Sequence, residues 1–442
     1  MRHKRRIWVE WGKNALIALL SLSAIYLSFQ TLVYSLTPDR NSLWEEMTGL
    51  LQPGSSAQPV SGPSALAELT RPVRIAVTTP DGRYGVHYDT AAVDAVYEDT
   101  ASLLAECLLR AGTPARVSSA QWRQALERTG IYYDFLGELP LSVLSAGLSQ
   151  TGGGSALTQS ARHVLLTDDG EGGMLLWFWD VKEDAPYRCP TSSVLQGQLE
   201  ETAARYLPNN ATFAFQSSGQ YGQLADSQLF TSESPVLPVY AASDPLAADA
   251  SLLENLLRTV GINPHALYTS SDGDRVARDG NYTIRVSPSG TVRFSTGPEE
   301  GTPRLPVSAM GETPTAVEAV EAAWSLLSAT LTPTLGDARL YLLSCEPNAT
   351  GSWTILFGYA LSGAQVELAE FDYAVGIYIE GRRISDIFMH YRTYTAADSE
   401  SVLLPEPQAV AALLALDGAE KELLAAYLDA EEALVQASWI GR

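Results

Sequence analysis

Residues 353–391 read WTILFGYALSGAQVELAEFDYAVGIYIEGRRISDIFMHY, and this stretch sets the architecture of the C-terminal half. Short runs rich in β-branched and aromatic residues are separated by Ser362-Gly363 and Glu380-Gly381, dipeptides that are typical of tight turns. Strands joined by so few residues must pair antiparallel, because a parallel crossover needs about a dozen residues or more. The stretch therefore predicts an antiparallel meander.

Helical periodicity flanks this meander on both sides. A helix is predicted before it, at residues 315–331, and two more after it, at 408–416 and 421–428. Helices grouped beside antiparallel hairpins indicate an α+β fold with packed helices. Further upstream, hairpins are predicted at 73–88, 163–181 and 282–295, and helices at 90–111, 195–207 and 251–260. A further helix is predicted to begin at a cap, Ser118 or Ser119, and to run through Leu126.

Length, composition and charge narrow the class of protein. With 442 residues the chain exceeds the usual size of one domain, so we expect several modules. Apolar residues make up 46% and charged residues 18% of the chain, as is typical of globular proteins. The 51 acidic residues outnumber the 29 basic ones, giving a formal charge of −22, which disfavours a nucleic-acid-binding surface.

An uncharged segment near the N-terminus predicts a membrane anchor. Asn14 to Leu36 form 23 residues without a charge, NALIALLSLSAIYLSFQTLVYSL, which as a helix would cross a bilayer core of about 30 Å. Five basic residues and one acidic residue precede this span, so we expect a cytoplasmic N-terminus and an extracytoplasmic remainder. We favour an uncleaved, single-pass signal anchor in the cell membrane. The only candidate for signal-peptide cleavage is Ser35-Leu36-Thr37, a weak one.

One face of this predicted span carries small side chains. Their spacings of 3, 4, 3 and 4 residues align them along one stripe of a helix, and bulky residues fill the rest. In lipid, small residues let two helix backbones approach, and hydroxyls can hydrogen-bond across the contact. The stripe is therefore a candidate face for a partner helix, or alternatively its hydroxyls bond to carbonyls of their own helix. Its residues are Ser21, Ala24, Ser28, Thr31 and Ser35.

Shifts in composition divide the chain into six segments. Residues 52–70 are rich in Pro, Gly and Ser and predict a flexible linker, and the triple glycine at 152–154 marks a module boundary. The predicted segments are a cytoplasmic basic tail at 1–13, the transmembrane anchor at 14–36, a stalk or linker at 37–70, an N-terminal α+β module at 71–148, a central α+β module at 160–234, and a C-terminal α+β region with the meander at 235–442.

Common catalytic and metal-binding patterns are absent from the sequence. None of the four lysines follows a serine by three residues, and neither a Gly-x-Ser-x-Gly elbow nor a His-Glu-x-x-His pair occurs. Asp272 and Asp274 begin like a calcium loop, but no glutamate closes it. We therefore predict no catalytic residue, no metal site, no cofactor and no enzymatic activity.

The three cysteines are too far apart in the sequence for a disulfide framework or a close-spaced thiolate site. At most one bridge can form. We expect Cys107 to be buried on a helix and Cys345 to lie in the core. Cys189, between Arg188 and Pro190, is predicted to be the more exposed thiol.

The layout and several phrases of the sequence resemble the YycH family. The phrases are YTIRVSPSGTVRFS at 282–295, EAVEAAWSLL at 318–327, the meander from Phe357 onward, and LVQASW at 434–439. They look like the C-terminal half of clostridial members, and the similarity is weaker before residue 235. Members of this family are extracytoplasmic regulators of an essential cell-wall sensor kinase in low-GC Gram-positive bacteria.

The resemblance implies regulation rather than catalysis. Family members act through their membrane helix on the transmembrane helices of a WalK/YycG-type sensor histidine kinase of a two-component system, often together with a YycI-like partner. For this chain it implies an anchored regulator with those partners, no cofactor and no nucleic acid. Two alternatives remain open, a membrane-tethered cell-envelope hydrolase with two carboxylates in a cleft, and a protein that binds wall fragments.

Overall fold

The computed structural model describes residues 63–149, 154–192, 195–217, 221–232, 234–297, 303–348, 351–415 and 422–442. The predicted anchor at 14–36 lies outside these residues. Among the ranges described, no helix is long and apolar enough to cross a membrane. The described residues belong to one compact unit.

Nine α-helices lie within the described ranges, and several begin at a side chain that caps them. Asp89 accepts a hydrogen bond from the Ala92 N–H, and Thr315 forms a reciprocal capping box with Glu318. The helices predicted at 90–111, 119–126, 251–260 and 315–331 are confirmed. The helices are α1 (Pro63–Leu69), α2 (Thr90–Leu109), α3 (Ser119–Leu126), α4 (Leu141–Leu148), α5 (Gln196–Ala203), α6 (Pro245–Ala248), α7 (Ala250–Thr259), α8 (Ala316–Thr330) and α9 (Glu406–Leu414).

The first sheet has seven antiparallel strands in the order β2-β1-β4-β5-β6-β7-β3. The hairpins predicted at 73–88 and 163–181 are confirmed as β1–β2 and β5–β6. β4 and β5, on either side of the triple glycine, pair directly, so the segments 71–148 and 160–234 contribute to one sheet. The strands are β1 (Arg74–Thr79), β2 (Gly82–His87), β3 (Ala115–Arg116), β4 (Gly130–Pro140), β5 (Ser160–Asp168), β6 (Met174–Asp180) and β7 (Ala185–Pro190).

The second sheet contains the predicted meander. Its order is β11-β12-β13-β14-β19-β18-β16-β17-β21-β23, and β15 pairs with β16 outside this path. In the meander Ile355 lies opposite Ile377, which in turn lies opposite Ile387, so apolar residues line one face. The strands are β11 (Tyr268–Thr269), β12 (Arg275–Asp279), β13 (Tyr282–Val286), β14 (Thr291–Thr296), β15 (Arg339–Pro347), β16 (Trp353–Leu361), β17 (Ala364–Leu368), β18 (Val375–Glu380), β19 (Arg383–His390), β21 (Leu423–Asp429) and β23 (Ala437–Gly441).

The α+β class is confirmed, and pairing is antiparallel except between β17 and β21, which run parallel. The helix predicted at 421–428 is wrong, because residues 423–428 of that segment belong to the strand β21. Its leucines and alanines favour a helix, but burial on both faces between two strands overrides that preference. The end of the predicted linker, residues 63–69, is helical as α1.

Two small sheets complete the fold. β10 (Pro238–Ser243) lies between β20 (Thr393–Glu400) and β22 (Leu434–Val435), and β8 (Thr212–Phe213) pairs with β9 (Leu229–Phe230). The positions predicted for Cys107 and Cys345 are confirmed, since both are buried. The exposure predicted for Cys189 is wrong. Its side chain is fully buried because it lies on the face of β7 that joins the hydrophobic core, in the same cluster as Cys107 and Leu108 of α2.

Candidate functional site at the junction of the sheets

β4 and β15 bring the two sheets into contact. The pairing of each strand is interrupted by a β-bulge at this point. Gly137 lies within the irregular part of β4. A Cβ atom there would overlap the carbonyl of Leu342 and lie 2.9 Å from Leu343 Cα. Only a residue without a side chain fits, so the sheets meet backbone to backbone.

Helix α1 lies where the two halves of the fold meet, the N-terminal half with the first sheet and the C-terminal half with the second sheet. It packs against α4, which directly follows β4, and against β15 and α8 from the C-terminal region. Leu66 and Leu69 of α1 are buried. Gly147 of α4 permits the close approach, since a Cβ atom there would lie 3.2 Å from the Leu66 carbonyl. The C-terminal end of the predicted linker, which forms α1, is therefore held by both halves of the fold.

Ionisable side chains from both halves of the fold form a buried group that we call the junction cluster, comprising Arg74, Asp134, Arg162, His163 and Glu422. Asp134 Oδ2 is 3.3 Å from Arg74 Nε, and Asp134 Oδ1 is 3.4 Å from both Arg162 Nε and His163 Nε2. Arg162 Nη1 is 2.7 Å from Glu422 Oε2. Neither Arg74 Nε nor Asp134 Oδ1 has a hydrogen-bond partner among the described residues. The cluster is therefore held mainly by charge.

The charges of the junction cluster stabilise one another. Burial alone raises the pKa of Asp134, but Arg74 and Arg162 outweigh burial and hold that pKa well below its usual range. Burial also opposes the charged form of Arg74, yet Asp134 raises the pKa of this guanidinium. Two arginines thus face the carboxylates of Asp134 and Glu422. Glu422 directly precedes β21, so the cluster joins the first sheet to the second. Removal of a single partner would leave a buried charge uncompensated between the sheets.

Tyr88 makes a further link between the halves. Its φ of 58° is left-handed, which is uncommon for an aromatic residue. The Tyr88 hydroxyl accepts a hydrogen bond of 2.8 Å from the Ala425 N–H in β21. Its ring lies 6.3 Å from that of Trp439 in an edge-on contact. The unusual backbone angle is thus accompanied by side-chain contacts with two strands of the second sheet.

His87 lies beside the junction cluster and faces two side chains from distant segments. Its Nε2 is 2.9 Å from Thr231 Oγ1 and 3.6 Å from Glu406 Oε1. Burial, with the nearby charge of Arg74, lowers the pKa of His87 to about 3. Burial raises the pKa of Glu406 to about 7. Around neutral pH an uncharged imidazole therefore contacts a carboxyl group that is partly protonated.

A groove of about 580 Å³, which we call the inter-sheet groove, runs past His87. It is bounded by the end of β2, the start of α2, residues 231–232 and 234–238, and the β16–β17 turn. No lysine or arginine is among its lining residues in the described part of the chain. A second cavity, of about 160 Å³, shares Tyr88, Thr90 and Ser362 with it. The polar side chains that line the groove are those of Tyr84, His87, Tyr88, Asp89, Thr90, Asn209, Thr231, Ser232, Ser234 and Ser362.

The geometry around His87 suits binding better than nucleophilic catalysis. A threonine 2.9 Å from an imidazole nitrogen has the spacing of a nucleophile and its base. In a catalytic triad, however, the acid orients the ring through the opposite nitrogen, whereas Glu406 and Thr231 both face Nε2. With a neutral imidazole, and with hydroxyl groups as most of its polar lining beside Asn209 and Asp89, the groove can accommodate a polar ligand that carries no negative charge. In the ranges described, no three His, Cys, Asp or Glu side chains are placed to hold a metal ion.

The raised pKa of Glu406 predicts a pH-dependent stability. An acid whose folded pKa exceeds its unfolded value destabilises the fold as pH rises from about 4.5 to 7, and the penalty persists above that range. We expect Glu406→Gln to stabilise the protein at pH 8 by up to about 3 kcal/mol, and to have little effect at pH 4. Urea unfolding at the two pH values would measure this difference. Glu312→Gln, at an exposed position, is the control, and equal effects of both substitutions at pH 8 would contradict the prediction.

The sequence-predicted site residues and the structural site do not coincide. Ser21, Ala24, Ser28, Thr31 and Ser35 lie outside the described residues, so the helix-contact face stays a prediction. The junction cluster was not predicted. Arg74 and Arg162 stand near short apolar runs, at 75–77 and 164–166, which is a signal for buried charge. Glu422 is far from both in sequence, and no local pattern links the three residues.

Comparisons with known proteins give one structural similarity. No family model matches the chain, and no curated protein matches it. Among solved structures, the chain is similar to the crystal structure of YycH from Bacillus subtilis. The identity is 12% and the TM-score is 0.49, with the alignment covering 85% of this chain and 94% of that chain.

Proposed function

We propose that the chain is a membrane-anchored extracytoplasmic regulator that modulates a two-component sensor histidine kinase through contacts between transmembrane helices. The uncharged span at 14–36, the basic residues before it and the small-residue stripe support the anchor and its contact face. The phrases shared with the YycH family support the kinase as the partner. The same resemblance implies a YycI-like protein as the second partner.

The structural observation that carries the proposal is the position of α1. This helix forms the end of the predicted linker, and it packs against both α4 and β15. Its buried leucines fix the point at which the linker enters the ectodomain. A partner that displaces the linker therefore moves α1 relative to both sheets. A force on either sheet is transmitted through α1 to the linker. Coupling of 1–3 kcal/mol is typical of regulation between sites.

Substitution on the stripe tests the contact between membrane helices. Ser28→Leu should reduce the sensor kinase that co-purifies with the full chain in detergent by about 3- to 30-fold, since interhelical contacts of this kind contribute roughly 0.6–2 kcal/mol. Ser23→Leu makes the same change outside the stripe and should leave the yield unchanged. Equal yields from the two variants would contradict a role for the stripe. An unchanged urea unfolding transition would show that the ectodomain is intact.

A further inference from the structure

The outer edge of β23 has no neighbouring strand among the described residues, and the proposed function does not use it. β23 ends the path of the second sheet and pairs with β21. Glu422 and Arg442 exchange both backbone hydrogen bonds, and in an antiparallel pair every second residue makes such an exchange. The N–H and C=O groups of Ala437, Trp439 and Gly441 therefore point away from β21.

Only the beginning of this edge has a partner among the described residues. The Ala437 N–H donates a hydrogen bond of 2.9 Å to Ser401 Oγ. Further along, at Trp439 and Gly441, no strand within the described ranges pairs with the outward side. An open edge of this kind is a template for pairing with another strand.

An apolar pocket of about 230 Å³ lies beside the open edge. Ala409, Ala412 and Leu413 of α9 line it, together with Trp439, whose Nε1 donates a hydrogen bond of 2.8 Å to the Leu404 carbonyl. Val402 also lines the pocket and is 97% exposed. Side chains of a strand alternate between its two faces, so every second side chain of an added strand would point toward α9.

We propose that this edge and pocket bind an extended segment of another protein, which adds as a strand beside β23 and places one bulky apolar side chain between Trp439 and α9. Backbone groups at Trp439 and Gly441 would supply the main-chain hydrogen bonds, and the pocket would select the side chain. Only five of the 29 basic and one of the 51 acidic residues precede the predicted span, so residues 37–442 carry 24 basic and 50 acidic side chains. This excess favours a segment with basic residues beside the apolar one.

Selection of peptides on the full-length protein in phospholipid nanodiscs tests the inference. The probe is a phage-displayed library of random 12-residue peptides, and enriched peptides are then synthesised for fluorescence-anisotropy titration. Ala412→Trp fills the pocket from an exposed position on α9, and Ala411→Trp makes the same change at an exposed neighbour that does not line the pocket. A second control is each peptide with N-methyl groups at alternate residues, which keeps the side chains but blocks strand pairing.

We expect peptides with a bulky apolar residue and basic neighbours to bind the parent protein and Ala411→Trp equally. Ala412→Trp and N-methylation should each weaken binding at least 10-fold. The inference is wrong if no peptide is enriched, or if the enriched peptides bind all three proteins alike. Self-association of the parent protein that Ala412→Trp abolishes would identify a second copy of the chain as the occupant and would overturn the proposed partner. Matching circular dichroism melts would show that the variants are folded.

Discussion

Gly137→Ala should prevent stable folding, with a loss of at least about 4 kcal/mol in the free energy of unfolding. The added Cβ atom would overlap the Leu342 carbonyl and crowd Leu343 Cα, and both are backbone groups of a paired strand. Neither neighbour can move by changing a rotamer. The two sheets must separate instead, and urea unfolding or the yield of folded protein would measure the loss.

Gly197→Ala is the matched control for this substitution. Gly197 lies in α5, and a Cβ atom there would meet no heavy atom within 4 Å. Alanine in a helix is favoured over glycine by roughly 0.5–1 kcal/mol, so this variant should be slightly more stable than the parent. If Gly137→Ala were as stable as the control, the close contact between β4 and β15 would be wrong.

Asp134→Asn should cost about 3–5 kcal/mol of stability at pH 7, because it leaves the buried guanidinium of Arg74 without its partner. Chemical denaturation would measure the effect. Glu254→Gln, which affects an exposed helical pair with Arg258, should cost less than about 1 kcal/mol. The sign with pH follows from the lowered pKa of Asp134. Its stabilisation is present above the unfolded pKa of about 4 and is lost as pH falls below it, so the variant and the parent should converge in acid.

A double substitution separates lost charge pairing from lost packing. Arg74→Met in the Asp134→Asn background removes the uncompensated charge and keeps most of the side-chain volume. The double variant should therefore be more stable than the sum of the two single losses predicts. If the losses simply add, or if Asp134→Asn stays within about 1 kcal/mol of the parent, the junction cluster does not stabilise the fold in the manner described.

Local patterns in the sequence predicted much of the second sheet. Turn dipeptides such as Ser362-Gly363 fix the length of a connection, and alternating apolar residues fix the face that is buried, so β16, β18 and β19 could be placed from the sequence. The segment that became β21 was misassigned, because Leu423 to Asp429 lack β-branched residues. Its conformation is decided by β17 and β23, which no local pattern reveals.

The candidate site depends on contacts between residues far apart in the chain. Nothing in the sequence around Gly137 indicates that a glycine is required there. The requirement arises only because the backbone of β15 approaches this position. The burial of the two arginines could be predicted from the apolar residues near them in the sequence. The identity of their partners could not be predicted in this way. His87, Thr231 and Glu406 likewise come from three separate segments. Neither β4, which carries Asp134 and Gly137, nor β21, which follows Glu422, was predicted as a strand, so the place where they meet could not be predicted either.

The contribution of Glu422 to the junction cluster also has a consequence for the order in which the protein matures. Arg162 and Asp134 leave the ribosome long before residue 422, and at synthesis rates of about 5–20 residues per second the delay is roughly 15–60 s. During that time the first sheet has one acidic partner for two arginines. In a nascent or truncated chain, the positive charge of the two arginines is consequently not balanced. When the last strands are added, Glu422 neutralises this charge and β21 and β23 complete the pairing of the second sheet.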